Sequence, residues 1–211
     1  MTVTITRLYH DYSSASQAVR ALEAAGVSDK DISLVASNAD NWYTHGGNKH
    51  SDKAPNAPRN ENTATGAGTG AGIGSAVGGA AGLLAGLGLI AIPGVGPVVA
   101  AGWLVATAVG AVTGAATGGL IGGLTGAGIS EDDAHVYAEG VRRGGTLVTA
   151  RVPEADKPRV EAILDRHGSI NIRERGQSYR AAGWKTFDAK APGYTPDQVR
   201  QDRGLYGRNV M

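Results

Sequence analysis

Gly86-Leu87-Gly88-Leu89-Ile90-Ala91-Ile92-Pro93-Gly94-Val95-Gly96-Pro97 lies near the centre of residues 62–130, a run of 69 residues without one Asp, Glu, Lys or Arg. The reading of this run decides the fold, because all 20 basic and 19 acidic residues of the 211-residue chain fall on its two flanks. The flanks therefore have the charge density of an ordinary soluble domain, and the chain reads as a soluble body carrying an uncharged insert. Within the insert glycines recur every fourth residue, at Gly66, Gly70, Gly74, Gly78, Gly82 and Gly86, and again at Gly110, Gly114, Gly118, Gly122 and Gly126. Between the two strings, Pro93-Gly94-Val95-Gly96-Pro97 interrupts any helix ladder and permits a sharp turn, so the spacing predicts a hairpin of two helices.

Each glycine in a solvated helix costs about 1 kcal/mol relative to alanine, so such arms need a packing partner. Glycine at every fourth position makes a flat stripe on which another backbone can lie close, as in small-xxx-small helix pairs. The stripe drifts against the 3.6-residue period, so one arm can touch its hairpin partner and then a neighbouring subunit. Self-association as a homo-oligomer is the expectation. As helices, residues 66–92 and 98–128 would measure ~40 and ~46 Å, against a hydrocarbon core of ~30 Å. Only residues 76–92 and 98–112, beside the turn, are strongly apolar.

Two arrangements remain open. In one, the tip at residues 92–98 enters membrane lipid and Trp103 sits at an interface or among the acyl chains. In the other, the hairpin is buried between subunits of a water-soluble homo-oligomer. Lys49, Lys53 and Arg59 before the insert and Arg142 and Arg143 after it predict that both ends face the cytoplasm, at the inner face of the cell membrane.

On the flanks, residues 2–8 alternate as a strand, with Val3 and Ile5 on one face and Thr2, Thr4 and Thr6 on the other. Ser14 with Gln17 makes a capping box for a helix carrying Ala15, Ala18, Val19, Leu22 and Ala25, and Gly26 suits its end. Residues 32–35 read as a second strand. After the insert, Ser130 caps a helix whose first turn holds Glu131, Asp132 and Asp133, and whose apolar face is Ala134, Tyr137, Ala138 and Val141. Residues 146–152 form a strand, 154–167 a helix and 169–173 a last strand. With the insert and its following helix set aside, the order is βαββαβ. The expected class is α+β: a ferredoxin-like antiparallel sheet with two helices, interrupted by a glycine-zipper helical hairpin.

The boundaries follow. Residues 1–37 are the first half of the ferredoxin-like domain, 38–62 a polar linker, 63–129 the hairpin, 130–175 the second half and 176–211 a tail. Five of the chain's eleven aromatics, Tyr179, Trp184, Phe187, Tyr194 and Tyr206, lie in that tail. So much aromatic surface predicts docking on the body or on a neighbouring copy, led by Trp184, Phe187 and Tyr194. Thr195, Pro196 and Gln198 mark a short helix start within it.

The absence of cysteine excludes disulfides, thiolate metal sites and thiol catalysis. A net charge of +1 argues against a nucleic-acid partner. Residues 1–7 show no basic stretch followed by an apolar run, so no signal peptide is expected. The loose dinucleotide pattern of residues 86–91 lies inside a glycine run, follows no strand and has no acidic partner twenty residues on. His45 and His50 lack companion carboxylates. His135 lies near Asp132, Asp133 and Glu139, which is what a solvated helix start looks like, and Tyr137 reads as core. No nucleophile, base and orienting group converge, so the chain reads as non-enzymatic, without cofactor, metal or small-molecule substrate, with itself and membrane lipid as its partners.

The strand–helix–strand start, the Pro93-Gly94-Val95-Gly96-Pro97 hairpin, and Gly128-Ile129-Ser130-Glu131-Asp132-Asp133-Ala134-His135-Val136-Tyr137-Ala138-Glu139-Gly140-Val141-Arg142-Arg143-Gly144-Gly145 resemble the bacterial general-stress-protein family, also called heat- or low-temperature-induced stress proteins. The resemblance covers residues 2–175, and the acidic-Tyr-Ala-Glu-Gly stretch is its most specific part. It implies a stress-associated, non-enzymatic protein of unknown biochemical mechanism. The insert exceeds what the minimal family domain needs and the tail lies outside the resemblance.

Overall fold

A computed structural model describes residues 1–39, 41–43, 88–92, 95–104 and 118–206. Alternation makes Thr2–Tyr9 the first strand, β1, with Ile5 and Tyr9 entering one apolar cluster and Leu8 the other. Helix α1, Tyr12–Ala24, starts two residues before the predicted cap. Asp11 caps it, its carboxylate accepting from the Ser14 N–H at 2.8 Å and from the Ser14 hydroxyl. A carboxylate meets the positive end of the helix more strongly than the hydroxyl of Ser14 does. Gly26, at φ +86°, takes the left-handed position after the last turn. Strand β2, Ile32–Ser37, is buried along its whole length.

Beyond β2 the structure departs from the helical hairpin. Gly88–Ile92 and Gly96–Gly102 are strands, β3 and β4, paired antiparallel with Ile92 opposite Gly96 and Gly88 opposite Ala100. β4 then pairs antiparallel with β2, Ser33 opposite Gly102 and Ser37 opposite Val98. The physical reason lies in both segment and site. Ile90, Ile92, Val98 and Val99 are β-branched, and the edge of β2 offers hydrogen bonds and two apolar faces that a glycine-interrupted helix would forgo. The turn is where the sequence placed it, with the Val95 N–H donating to the Ile92 carbonyl at 3.1 Å and Gly96 at φ +102°, but it joins strands.

The second predicted arm is also not one helix at its described ends. Gly118–Gly122 form an irregular π-type turn containing Gly119 at φ +31°, followed by the short helix α2, Gly123–Gly126. Gly66, Gly70, Gly74, Gly78, Gly82, Gly86, Pro93, Gly94, Gly110 and Gly114 lie outside the described residues.

Helix α3, Glu131–Arg142, is capped by Ser130, which accepts from the Asp133 N–H at 3.2 Å. Strand β5, Thr146–Pro153, lies between β1 and β2, antiparallel to both. Helix α4, Lys157–Arg166, follows a 3-10 turn over Glu154–Asp156. The strand expected at residues 169–173 is reduced to one antiparallel bridge, the Ile170 N–H donating to the Leu8 carbonyl at 2.7 Å. Asn171 then accepts from the N–H groups of Arg173 and Glu174 and starts helix α5, Ile172–Ala181. The capping side chain competes with the strand and wins. Helix α6, Pro196–Tyr206, begins with the predicted box: the Thr195 N–H donates to Gln198 Oε1 at 2.8 Å, and the Gln198 N–H to Thr195 Oγ1 at 3.3 Å.

The fold is α+β, a five-stranded antiparallel sheet of order β1-β5-β2-β4-β3 with helices on both faces. On one face α1 and α4 bury Val19, Leu22, Val160 and Leu164 over Ile5, Leu34 and Val148. On the other, α3 buries Ala134, Tyr137, Ala138 and Val141 over Leu8, Val35, Val98 and Leu147, and Val95, Leu104, Leu120, Leu124 and Phe187 complete that layer. Tyr137 is core, its hydroxyl donating to the Thr6 carbonyl at 2.9 Å.

Candidate functional site

The distinctive chemistry of the body is gathered at the C-terminal end of α3. Glu139 falls on the buried side of the helix and its side chain has no solvent exposure. A buried carboxylate is tolerated only when paired. Arg143, one turn on, donates its Nε to Glu139 Oε1 at 2.6 Å, and Arg142 approaches Oε2 at 3.5 Å. Arg143 also donates to Asp202 of α6 at 3.0 Å and lays its guanidinium over the Tyr179 ring of α5 at 4.2 Å. Burial works against the Arg143 charge, but the hydrogen bond to Glu139 and the two nearby carboxylates outweigh it and hold the guanidinium more firmly protonated than usual. Burial pushes the Asp202 carboxyl up, opposed by Arg143.

Glycines make this contact close. A Cβ on Gly140 would stand 2.4 Å from Leu8 Cδ2, so the helix seats directly on β1. Gly144, at φ +97°, ends the helix in the left-handed conformation, and a Cβ there would meet Val199 Cγ1 at 2.3 Å. The Glu-Gly-Val-Arg-Arg-Gly-Gly stretch of residues 139–145 thus forms a seat for helix α6.

The three tail aromatics singled out in the sequence all lie against the body. Trp184 stands edge-on to Tyr179 with ring centres 5.9 Å apart, Phe187 is buried in the cluster under α3, and Tyr194 lies beneath Arg142 and Arg143 at 5.0 and 5.5 Å. Thr186 hydrogen-bonds His135 Nδ1 at 3.1 Å, so His135 faces the tail and, on its other side, Glu131 at 3.8 Å. Val199 is fully buried and Arg203 donates to the Gly144 carbonyl at 2.9 Å. Sequence reading missed Val199, Asp202 and Arg203. One signal was available: a Glu beside the apolar face of α3, followed at the third and fourth positions by arginines.

Beside the ion network lies a cavity of about 20 Å³, lined by His10, Arg143, Arg175, Tyr179 and Asp202, which has room for one water molecule. Burial, and then the charge of Arg175, push the His10 imidazole below its ordinary value. A wider depression of about 310 Å³ is lined by Asp11, Tyr12, Ser13, Ser37, Trp42, Thr146 and Arg203. There Trp42 packs on Tyr12 with ring centres 4.7 Å apart and donates its indole N–H to the Ser37 carbonyl at 2.8 Å. Among the described residues no group of three or more His, Asp or Glu side chains is arranged to hold a metal ion.

Of the remaining stripe and turn residues, Val95 is buried, Gly96 lies against Gly193, and Pro97 is exposed at the start of β4. Gly118 and Gly122 bound the π-type turn, while a Cβ on Gly126 would meet open space. Trp103, expected at or in lipid, follows β4 and is half-buried, with the Arg151 guanidinium 4.4 Å from its ring centre. No family model, curated protein or solved structure matches the chain.

Proposed function

We propose that the chain is a non-enzymatic, self-associating protein in which a folded α+β body presents an uncharged segment whose fourth-residue glycines pack copies of the chain together. The observation that carries this reading is the stripe itself, eleven glycines at fixed spacing within 69 uncharged residues. At Gly126 a Cβ would meet nothing within 4 Å among the described residues, which leaves that position open to close approach by another copy. The strand order, the Ile170 bridge to β1 and the shared face of α1 and α4 support a ferredoxin-like body extended by two strands from the insert. The stress-associated role rests on the family resemblance alone.

The run of uncharged residues also supports contact with membrane lipid at the inner face of the cell membrane. Because β2 and β4 share one sheet, both ends of the chain between them lie on one side of any bilayer, as either reading requires. One observation favours packing between copies over crossing. Residues 105–117, between the described parts of the second arm, cover ~20 Å as a helix, short of a hydrocarbon core of ~30 Å. Among the described residues no helix is long and apolar enough to cross a membrane. Sedimentation in detergent-free buffer combined with flotation on anionic vesicles tests the choice. A discrete homo-oligomer that stays with the aqueous fractions is expected. Flotation would favour the lipid reading, and a monomer that does not float would contradict both.

A further inference from the structure

We propose that residues 184–206 are a latch that holds the β3–β4 hairpin on the body and so restrains association of the glycine-rich segment to which that hairpin belongs. This rests on the self-association reading and adds its regulation.

The tail touches the hairpin at its turn. A Cβ on Gly193 would stand 2.9 Å from Gly96 Cα and 3.0 Å from the Val95 carbonyl oxygen, so two backbones meet with no side chain between them. Gly96, in its turn, is glycine at φ +102°, where a side chain would be strained. Val95 is 1% exposed, in the same cluster as Phe187. Val95 and Gly96 of the turn are thus clamped between the sheet and the tail.

The clamp is attached at both ends by contacts of modest strength. Before Gly193 stand Trp184 on Tyr179, Thr186 on His135 and Phe187 in the cluster. After it stand Tyr194 under the arginines, Val199 against Gly144, and Asp202 on Arg143. Val199 is the one residue of α6 with a buried side chain among the described residues 196–205. A helix held by one buried apolar side chain, the Asp202–Arg143 ion pair and the Arg203 hydrogen bond to the Gly144 carbonyl can detach without unfolding the sheet. The hinge is at hand in Ala182-Gly183, where Gly183 adopts φ +89° directly after α5.

The test uses the full chain with Gly193→Val. Gly193 does not adopt a left-handed backbone, so the substitution acts through contact, and the atoms it strikes are backbone that no rotamer change can move. Val199→Ala loosens the far end without touching the hairpin and guards against local misfolding at Gly193. Hydrogen exchange is followed on peptides covering residues 88–102 and, as control, β1 and β5, and association is measured by sedimentation equilibrium. Both variants should exchange faster in 88–102, Gly193→Val by at least tenfold, with β1 and β5 unchanged and with association at least tenfold tighter than the parent. Unchanged exchange in 88–102 overturns the latch, as does faster exchange with unchanged association. If neither parent nor variants associate at any concentration, the self-association reading fails and its regulation with it; association of the parent with no response in the variants sinks the latch alone.

Discussion

Replacing Glu139 by glutamine should cost the body about 3 kcal/mol, because it removes the carboxylate that pairs two largely buried cations. The carboxylate has no solvent exposure, and the side chains of Arg142 and Arg143 are only 16% and 12% exposed. Breaking a buried pair costs about 3–5 kcal/mol, and the lower end applies here because Arg143 keeps Asp202 at 3.0 Å and the Tyr179 ring at 4.2 Å. At about 2–4 °C per kcal/mol for a chain of this size, the thermal midpoint should fall by ~6–12 °C. Asp165→Asn supplies the contrast. That carboxylate pairs with Arg7 at 2.7 Å but is 52% exposed, so its loss should cost no more than about 1 kcal/mol. Urea unfolding of both variants at one fixed protein concentration is the assay, since association shifts apparent stability. If Glu139→Gln costs less than about 1 kcal/mol, or no more than Asp165→Asn, the buried network is not what holds this end of α3.

The other expectations are smaller in reach. The folded-state His10 imidazole is pushed below its ordinary value of 6.5, so the unfolded chain takes up a proton that the folded one resists. Stability should therefore fall as pH drops through 6.5, and His10→Gln should flatten that slope; equal slopes in calorimetry from pH 7 to 5 would refute it. Gly144→Ala should loosen α6 through its left-handed backbone and the clash with Val199, at a cost of about 1–2 kcal/mol for the backbone alone, and limited proteolysis should then cut within residues 182–206 before the body. An unchanged cleavage pattern would show that α6 does not depend on that seat. With Trp42 and Trp184 replaced by Phe, the emission of Trp103 should stay the same when anionic vesicles are added, because its ring is already held by Arg151 and the apolar cluster. A blue shift with quenching by brominated lipid would restore the inserted tip.

The flanking elements were legible because each carried redundant local signals. Ser130 with its acidic first turn, the box of Thr195 and Gln198, and Gly26 after α1 all act over a few residues, where sequence is informative. Two readings failed where a distant partner decided. Residues 88–102 have the glycine content of a zipper arm, but the edge of β2 gives their β-branched residues a sheet to join, and pairing across more than fifty residues leaves no mark in local periodicity. Residues 169–173 alternate like a strand, yet Asn171 offers its side chain to two backbone N–H groups and turns the chain into α5. At the candidate site, Glu139 and the arginines were visible as a motif on α3. Asp202 and Val199 were not, because only the docked tail brings α6 beside them.

The central claim is that the glycine stripes pack copies of the chain together, and sedimentation velocity of the full chain with Gly78→Leu and with Gly114→Leu tests it most directly. The account predicts a homo-oligomer for the parent, a monomer or smaller species for each variant, and the same circular dichroism for all three. Parent and variants sedimenting alike, as one unchanged species, would contradict it.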